Sequence, residues 1–187
     1  MERHIPDEVI SAAVKKVVTE ENAKDPTRLG RLESFPPTLS HEDHYRGWVL
    51  GFIFSHNLKS VVLMKKTHPD WQAGRLNGIG GKIEPGESHR AAMWREGEEE
   101  TGYDYDDWQY LRPFTSSKPG LYVHVFYGVG DVENVKTLTE EEIIVCDVNT
   151  ILTVNRTSQK LIGGTADLLE ECIAKLENIL PGTSDIK

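Results

Sequence analysis

Residues 81–103 read Gly81-Lys-Ile-Glu-Pro-Gly-Glu87-Ser-His-Arg-Ala-Ala-Met-Trp-Arg95-Glu96-Gly97-Glu98-Glu99-Glu100-Thr-Gly102-Tyr103. A Gly-rich turn leads into a short helical stretch. Glu96, Glu99 and Glu100 are spaced i, i+3, i+4, so they project from one side of a helix. Three like charges on one face repel, and an ordinary surface helix gains more from alternating Glu and Lys. Clustered carboxylates become favourable around a hard divalent cation that takes oxygen ligands. Glu98 falls off that face and reads as a solvated charge.

The same stretch resembles the box of the Nudix family. Gly81, Glu87, Arg95, Glu96, Glu99, Glu100, Gly102 and Tyr103 fall in its register. Gly97 departs from it, standing where the family carries Leu, Ile or Val. A helix-interior Gly costs roughly 1 kcal/mol relative to Ala, so Gly97 reads as a local weakening that Leu would relieve. The resemblance implies Glu96, Glu99 and Glu100 as metal ligands, joined by a backbone carbonyl of Gly80. It implies Mg²⁺ as the cofactor, with Mn²⁺ as a substitute. It also implies that Glu87 and Arg95 form a structural ion pair tying the loop to the helix.

Composition bounds the chain around this segment. Its 187 residues suit one main domain. A hydrophobic fraction of 38% with 27% charged residues is that of a globular protein. No apolar run approaches the length of a membrane span, and the first residues lack an apolar signal core. Cys146 and Cys172 are too few for a disulfide framework and read as buried thiols in a reducing, cytoplasmic setting. The net charge of −9 argues against stable nucleic-acid binding and against a cap hydrolase, which would carry a basic stripe. An anionic substrate here needs bound cations and local bases; Lys65, Lys66, Arg75, Lys82 and Arg90 lie near the box.

Residues 6–20 show helical spacing after Pro6, and residues 21–45 are polar and irregular. Residues 1–45 read as a helical N-terminal extension that packs on the core or on a second subunit in a homodimer. His41-Glu-Asp-His44 has metal-like spacing but no third ligand nearby, and reads as a solvated loop. From residue 46 onward the pattern is α/β. Strands are expected at Gly47–Ser55 and Ser60–Lys66, paired as a hairpin, then in the Gly-rich stretch 71–81. The box helix runs over 88–101, strands over 107–114, 121–129 and 142–148, and a closing helix over 166–180, capped by Thr165. The resemblance implies an α/β/α sandwich around a mixed sheet.

Three further positions carry expectations. Asn77, in Gly74-Arg-Leu-Asn-Gly-Ile-Gly-Gly-Lys82, matches a stretch in which oxidised-purine nucleoside triphosphatases of the MutT type place a base-contacting Asn. Asn offers both a donor and an acceptor to a base edge; the plain alternative is a turn residue before Gly78. Lys118–Phe126 is similar to the same enzymes, with His124 read as a strand residue. Lys82 and Arg75 are candidate substrate contacts. Among Glu140–Glu142, the family supplies a carboxylate as metal contact or base, with Glu142 best aligned and Glu141 next.

These residues imply a Mg²⁺-dependent hydrolase that cleaves a phosphoanhydride in a nucleoside diphosphate linked to a further group. The favoured substrate is a purine nucleoside triphosphate, oxidised or deoxy forms included, giving the monophosphate and pyrophosphate. The paired-aspartate motif of the oxidised-purine enzymes is missing from residues 150–167. Pro119, sixteen residues beyond Tyr103, is a weak mark of ADP-ribose-cleaving members. ADP-ribose or an NADH-type dinucleotide therefore stands as the alternative substrate, and a non-catalytic nucleotide sensor as the alternative class.

Overall fold

The computed structural model describes residues 47–115 and 122–179. The expected helix at 6–20, the extension and the His41–His44 pair lie outside these residues. The strands are β1 (Gly47–Phe54), β2 (Ser60–Lys65), β3 (Leu76–Asn77), β4 (Gln109–Thr115), β5 (Tyr122–Val129) and β6 (Glu142–Asp147). The helices are α1 (His89–Thr101), α2 (Val148–Ser158) and α3 (Thr165–Ile179).

The sheet runs β3-β2-β1-β5-β4, with β6 on the other edge of β2. β1 pairs β5 in parallel along its whole length, and the remaining ladders are antiparallel. The sheet is therefore mixed. Alternation along β1 and β2 splits the core into two layers. Leu50, Phe52, Phe54, Val61 and Leu63 face α2 and α3, packing with Ile151, Leu168, Leu169 and Leu176. Val49, Ile53, Val62 and Met64 face α1, packing with Ala92, Met93, Trp108 and Phe126. This is the α/β/α sandwich that the resemblance implies.

The structure revises the expected hairpin. β1 and β2 meet at one pair, Phe54 with Val61, and then diverge; β2 instead pairs β6 from Ser60 to Lys65. The vacated edge of β1 is taken by the Gly-rich stretch. Val49 N–H bonds Gly81 O at 2.9 Å, and Gly51 and Ile79 exchange bonds of 2.7 and 2.9 Å. A Cβ on Gly78 would lie 2.5 Å from Gly51 O, and one on Gly80 would lie 2.2 Å from Val49 O. Only glycine lets this backbone lie so close to β1, and Gly80 has φ +140° as well.

α2 has no counterpart in the sequence reading. Its Val-Asn-Thr-Ile-Leu-Thr-Val-Asn run is rich in β-branched and Asn residues, which are weak helix formers. Asp147 caps it through a 2.8 Å bond from Thr150 N, and Val148 and Ile151 bury one face. That cap was its legible signal.

Gly97 also differs from expectation. It is buried in α1, and a Cβ there would lie 3.3–3.6 Å from the Trp108 indole. Trp108 covers the space that an aliphatic side chain would fill, and its buried indole N–H has no partner among the described residues. A side chain larger than methyl at position 97 must displace this indole. Gly97→Leu is expected to lower stability by about 1–3 kcal/mol through overpacking, read as a lower melting temperature; a rise would show that Trp108 moves aside freely.

Candidate active site

α1 starts at a capped turn: Ser88 accepts from Ala91 N at 3.1 Å. It ends at Gly102 with φ +61°, whose N–H bonds Glu98 O at 2.8 Å. Between these caps, Glu96 and Glu100 turn toward the Gly-rich stretch while Glu98 and Glu99 stay exposed.

Arg95 organises the loop side. Its Nε and one terminal nitrogen grip the Glu87 carboxylate at 2.9 Å each, a charge-assisted fork. The same guanidinium donates to Lys82 O at 3.1 Å, to Glu96 at 2.8 Å and to Glu99 at 3.1 Å. The Arg95 hydrogen bond holds the Glu87 carboxyl below the usual carboxylate range, against its partial burial. Glu87 and Arg95 thus lock the 82–87 loop onto α1.

Two carboxylates are raised. Burial pushes Glu96 up, and the Arg95 hydrogen bond only partly offsets this. Burial pushes Glu100 up to about 7, although Gly80 N–H donates to it at 2.7 Å and the Lys66 charge acts in the opposite sense. A Cβ on Gly81 would lie 2.5 Å from the Glu96 carboxyl carbon. The turn therefore forms a cradle that seats Glu96 only because residue 81 has no side chain.

Near Glu100 lies a half-buried ion pair. Lys66 Nζ bonds Glu141 Oε2, with side chains 15% and 14% exposed. Thr67 N–H donates to the other Glu141 oxygen at 3.1 Å. Glu141 also acts electrostatically on Glu100. Glu142, the better aligned candidate, instead meets Lys65 at 3.6 Å on the surface, with its side chain 63% exposed. Glu141 lies one residue before β6, in the bend that leads into it, where Lys66 and Thr67 N–H hold its carboxylate, whereas Glu142 opens the strand exposed. Glu141 is the member of this pair that the structure brings toward Glu100.

Asn77 is half-buried on β3, and its Oδ1 accepts a 3.0 Å bond from Thr165 Oγ1. Lys82 is exposed at the turn, its backbone bridging to Trp48. Arg75 lies apart from the carboxylates, lining an open cavity of about 310 Å³ with Gly74, Gln159 and Lys160. His124 is buried in β5, its Nδ1 3.1 Å from the Tyr110 hydroxyl.

Among the described residues, no three His, Cys, Asp or Glu side chains already stand converged as a ligand set, and Arg95 lies between Glu96 and Glu99. The donors nonetheless fit a hard divalent cation. They are carboxylate oxygens beside a glycine turn, and burial disfavours the charge that a cation would stabilise.

The NUDIX domain model matches residues 44–164. The chain belongs to the Nudix family. A curated relative, the methanol dehydrogenase activator of Bacillus methanolicus, is 30% identical over 93 residues, 47% of this chain. The match spans 50% of that relative's length. Among solved structures, MutT of Methanosarcina mazei is 22% identical with a TM-score of 0.53, covering 73% of this chain and 98% of its own. A MutT structure from work on Aliivibrio salmonicida and Vibrio cholerae is 23% identical with a TM-score of 0.55, covering 70% and 98%. The NUDIX domain of Shewanella oneidensis NrtR, solved with ADP ribose, is 16% identical with a TM-score of 0.58, covering 78% and 96%. These likenesses show the Nudix hydrolase fold. No helix among the described residues is long and apolar enough to cross a membrane.

The raised Glu100 carboxyl gives a pH dependence. Its value is about 7 in the folded chain against 4.5 for an ordinary Glu. At pH below 4.5 both states are protonated and Glu100 costs nothing; the cost grows up to about pH 7 and stays full above it. The metal-free protein should therefore lose stability as pH rises through this window. Glu100→Gln should melt higher than the parent at pH 8, by about 5 °C, and about level with it at pH 4.5. Mg²⁺ at pH 8 should raise the parent's melting temperature more than the variant's. An equal response of both proteins to pH and to Mg²⁺ would place Glu100 outside the site.

Proposed function

We propose that the chain is a Mg²⁺-dependent pyrophosphohydrolase of nucleoside diphosphates linked to a further group, with purine nucleoside triphosphates, oxidised or deoxy forms included, as the favoured substrates. The observation that carries this reading is the seating of Glu96 and Glu100 against the Gly80–Gly81 turn, within the family's box. Glu96, Glu99, Glu100 and the Gly80 carbonyl would hold the metal; Mn²⁺ suits the same oxygen donors. When bound, Mg²⁺ neutralises phosphate charge and lowers the pKa of a coordinated water.

The chain's own residues do the rest. Glu87 and Arg95 fix the loop so that Gly80 and Gly81 keep their places, and positioning of this kind contributes large rate factors. Lys82 stands exposed at the turn, where its ammonium can meet a phosphate oxygen. A carboxylate accepts the water proton. Glu141, half-buried and felt electrostatically by Glu100, suits that role better than the surface residue Glu142. The base lies against Asn77 on β3. Two residues separate Asn77 from Gly80, at most about 10 Å of extended chain, a gap that the sugar of a nucleotide spans. Arg75 contacts a more distant part of the ligand. A cytoplasmic location suits an enzyme of this kind with two free thiols, Cys146 and Cys172.

ADP-ribose stands as the second reading, because the NrtR domain was solved with that ligand. Purified protein assayed with purine triphosphates, their oxidised forms and ADP-ribose separates the two. A preference for ADP-ribose over every triphosphate overturns the first. EDTA should abolish turnover, and Mg²⁺ or Mn²⁺ should restore it; full activity in excess chelator ends the metal reading. Glu99→Gln and Glu96→Gln should each lower kcat by at least about 100-fold while circular dichroism stays native. Glu141→Gln should lower kcat by roughly 100-fold or more and Glu142→Gln by less than about threefold, the reverse order placing the base on the sheet's other face.

A further inference from the structure

The two outer strands of the sheet are finished differently. β4 closes one end of the strand order. Its ladder shifts register between Tyr110 and Arg112, and Pro113 offers no N–H. A bulge and a proline keep a second strand from adding to an edge. β6 has β2 as its single neighbour among the described residues. It reads Glu-Ile-Ile-Val-Cys-Asp and pairs in unbroken register from Glu142 to Asp147, with no proline or lysine in it. Val145, in its middle, is 44% exposed. Successive residues of a strand turn their peptide groups to opposite edges. Ser60 bonds Ser55 beside β1, and Lys66 bonds Gly74 and Arg75 beside β3. Val61, Leu63 and Lys65 therefore face β6, where their partners are Cys146, Ile144 and Glu142. Ile143, Val145 and Asp147 consequently turn their peptide groups outward. Two of these groups are used within the chain. Ile143 N–H donates to Thr137 Oγ1 at 3.0 Å, and the carbonyl of Asp147, the N-cap of α2, serves the first turn of that helix. Ile143 O, Val145 N–H, Val145 O and Asp147 N–H have no partner among the described residues.

We propose that the outer edge of β6 is a self-association surface, to which a second copy of the chain adds its own β6, antiparallel, about a twofold axis at Val145. That register sets Val145 opposite the partner's Val145 and Asp147 opposite the partner's Ile143. The two Val145 residues exchange N–H and carbonyl bonds, and each Asp147 N–H donates to the other chain's Ile143 carbonyl. These bonds consume the free groups on both edges. The remaining bond of such a ladder, from Ile143 N–H to the partner's Asp147 carbonyl, joins two groups that each chain already satisfies internally. The Val145 side chain lies beside Val62 on the α1 face of the sheet, so the apolar layer continues across the axis. Because the β4 edge is blocked, β6 meets β6, and a twofold contact of this kind closes at two copies. One added strand falls in the class of small interfaces, below about 1,200 Å², and each chain carries a net charge of −9. Association is therefore weak, and it strengthens as salt screens the repulsion.

Sedimentation equilibrium of the full chain over a concentration series tests it. The parent's mean mass should rise from that of one chain toward that of two, and further at high salt. Val145→Pro removes an outward N–H and no bond of the β2 ladder, so it should keep the parent's circular dichroism and stay monomeric. Val145→Lys and Val145→Glu should each be monomeric alone, because the twofold sets like charge against like. Mixed, they should associate, because it sets Lys against Glu. A parent that is monomeric at every concentration, a dimer that survives Val145→Pro, or a Lys and Glu mixture that stays monomeric overturns the proposal. Should Val145→Pro not fold, the Lys and Glu pair decides alone. Amide exchange separates the remaining occupant of the edge. A Val145 N–H that exchanges fast in dilute parent and slowly in concentrated parent supports the second copy. Slow exchange at every dilution shows that the chain's own residues cover the edge, and overturns it.

Discussion

The site depends on one close approach, the passage of Gly78–Gly81 between β1 and α1. Three side-chain-free positions do different jobs there. Gly78 and Gly80 let the backbone join the edge of β1, where any Cβ would strike a carbonyl oxygen. Gly81 leaves room for the Glu96 carboxylate, and the Gly80 N–H reaches Glu100. The divergence of β1 from β2 is the same constraint seen from the sheet. β2 turns to β6 because the edge of β1 is already occupied. The stretch that faces the α1 carboxylates is thus held by a backbone ladder, whose hydrogen bonds do not depend on pH or salt as surface ion pairs do.

That anchoring permits an electrostatic arrangement that would not stand alone. Glu96 and Glu100 are half-buried carboxylates in a chain with net charge −9, and burial acts against ionisation of each. Two internal cations temper the cost. Arg95 serves Glu87, Glu96 and Glu99 together, and Lys66 serves Glu141 with an influence on Glu100. Neither gives Glu100 a direct salt bridge. A divalent cation bound there would relieve the residual imbalance, so affinity for metal and instability without it would share one origin.

Much of this was legible in the sequence, for local reasons. The i, i+3, i+4 carboxylates, the Glu87–Arg95 spacing and the Gly102 stop are properties of one helix and its flanks, and the sheet faces follow from alternation. What escaped depends on contacts distant in sequence. Trp108 filling the space beside Gly97 joins α1 to the segment before β4, and no spacing rule places an indole there. Glu141 rather than Glu142 near the site follows from the bend before β6, where Lys66 and Thr67, more than 70 residues away in sequence, hold the Glu141 carboxylate. α2 was hidden because its burial against the sheet outweighs weak local propensity.

The segment 76–82 touches both helical layers, and this joins recognition to chemistry. On one side, Leu76 bonds the backbone of Lys160 and Ile162, and Asn77 meets Thr165 at the start of α3. On the other, Gly80 meets Glu100 and Lys82 O meets Arg95 on α1. Only two residues separate Asn77 from Gly80, and their backbone is pinned to β1 by the Ile79 pair. A nucleotide held by its base at Asn77 and by its phosphates at Gly80 would therefore span a rigid strand, not a loop. Misplacement of the base would then be felt at the phosphates, because the strand between them cannot adjust to absorb it. Selectivity on this chain belongs with productive alignment as much as with binding strength, and it would appear in kcat as well as in KM.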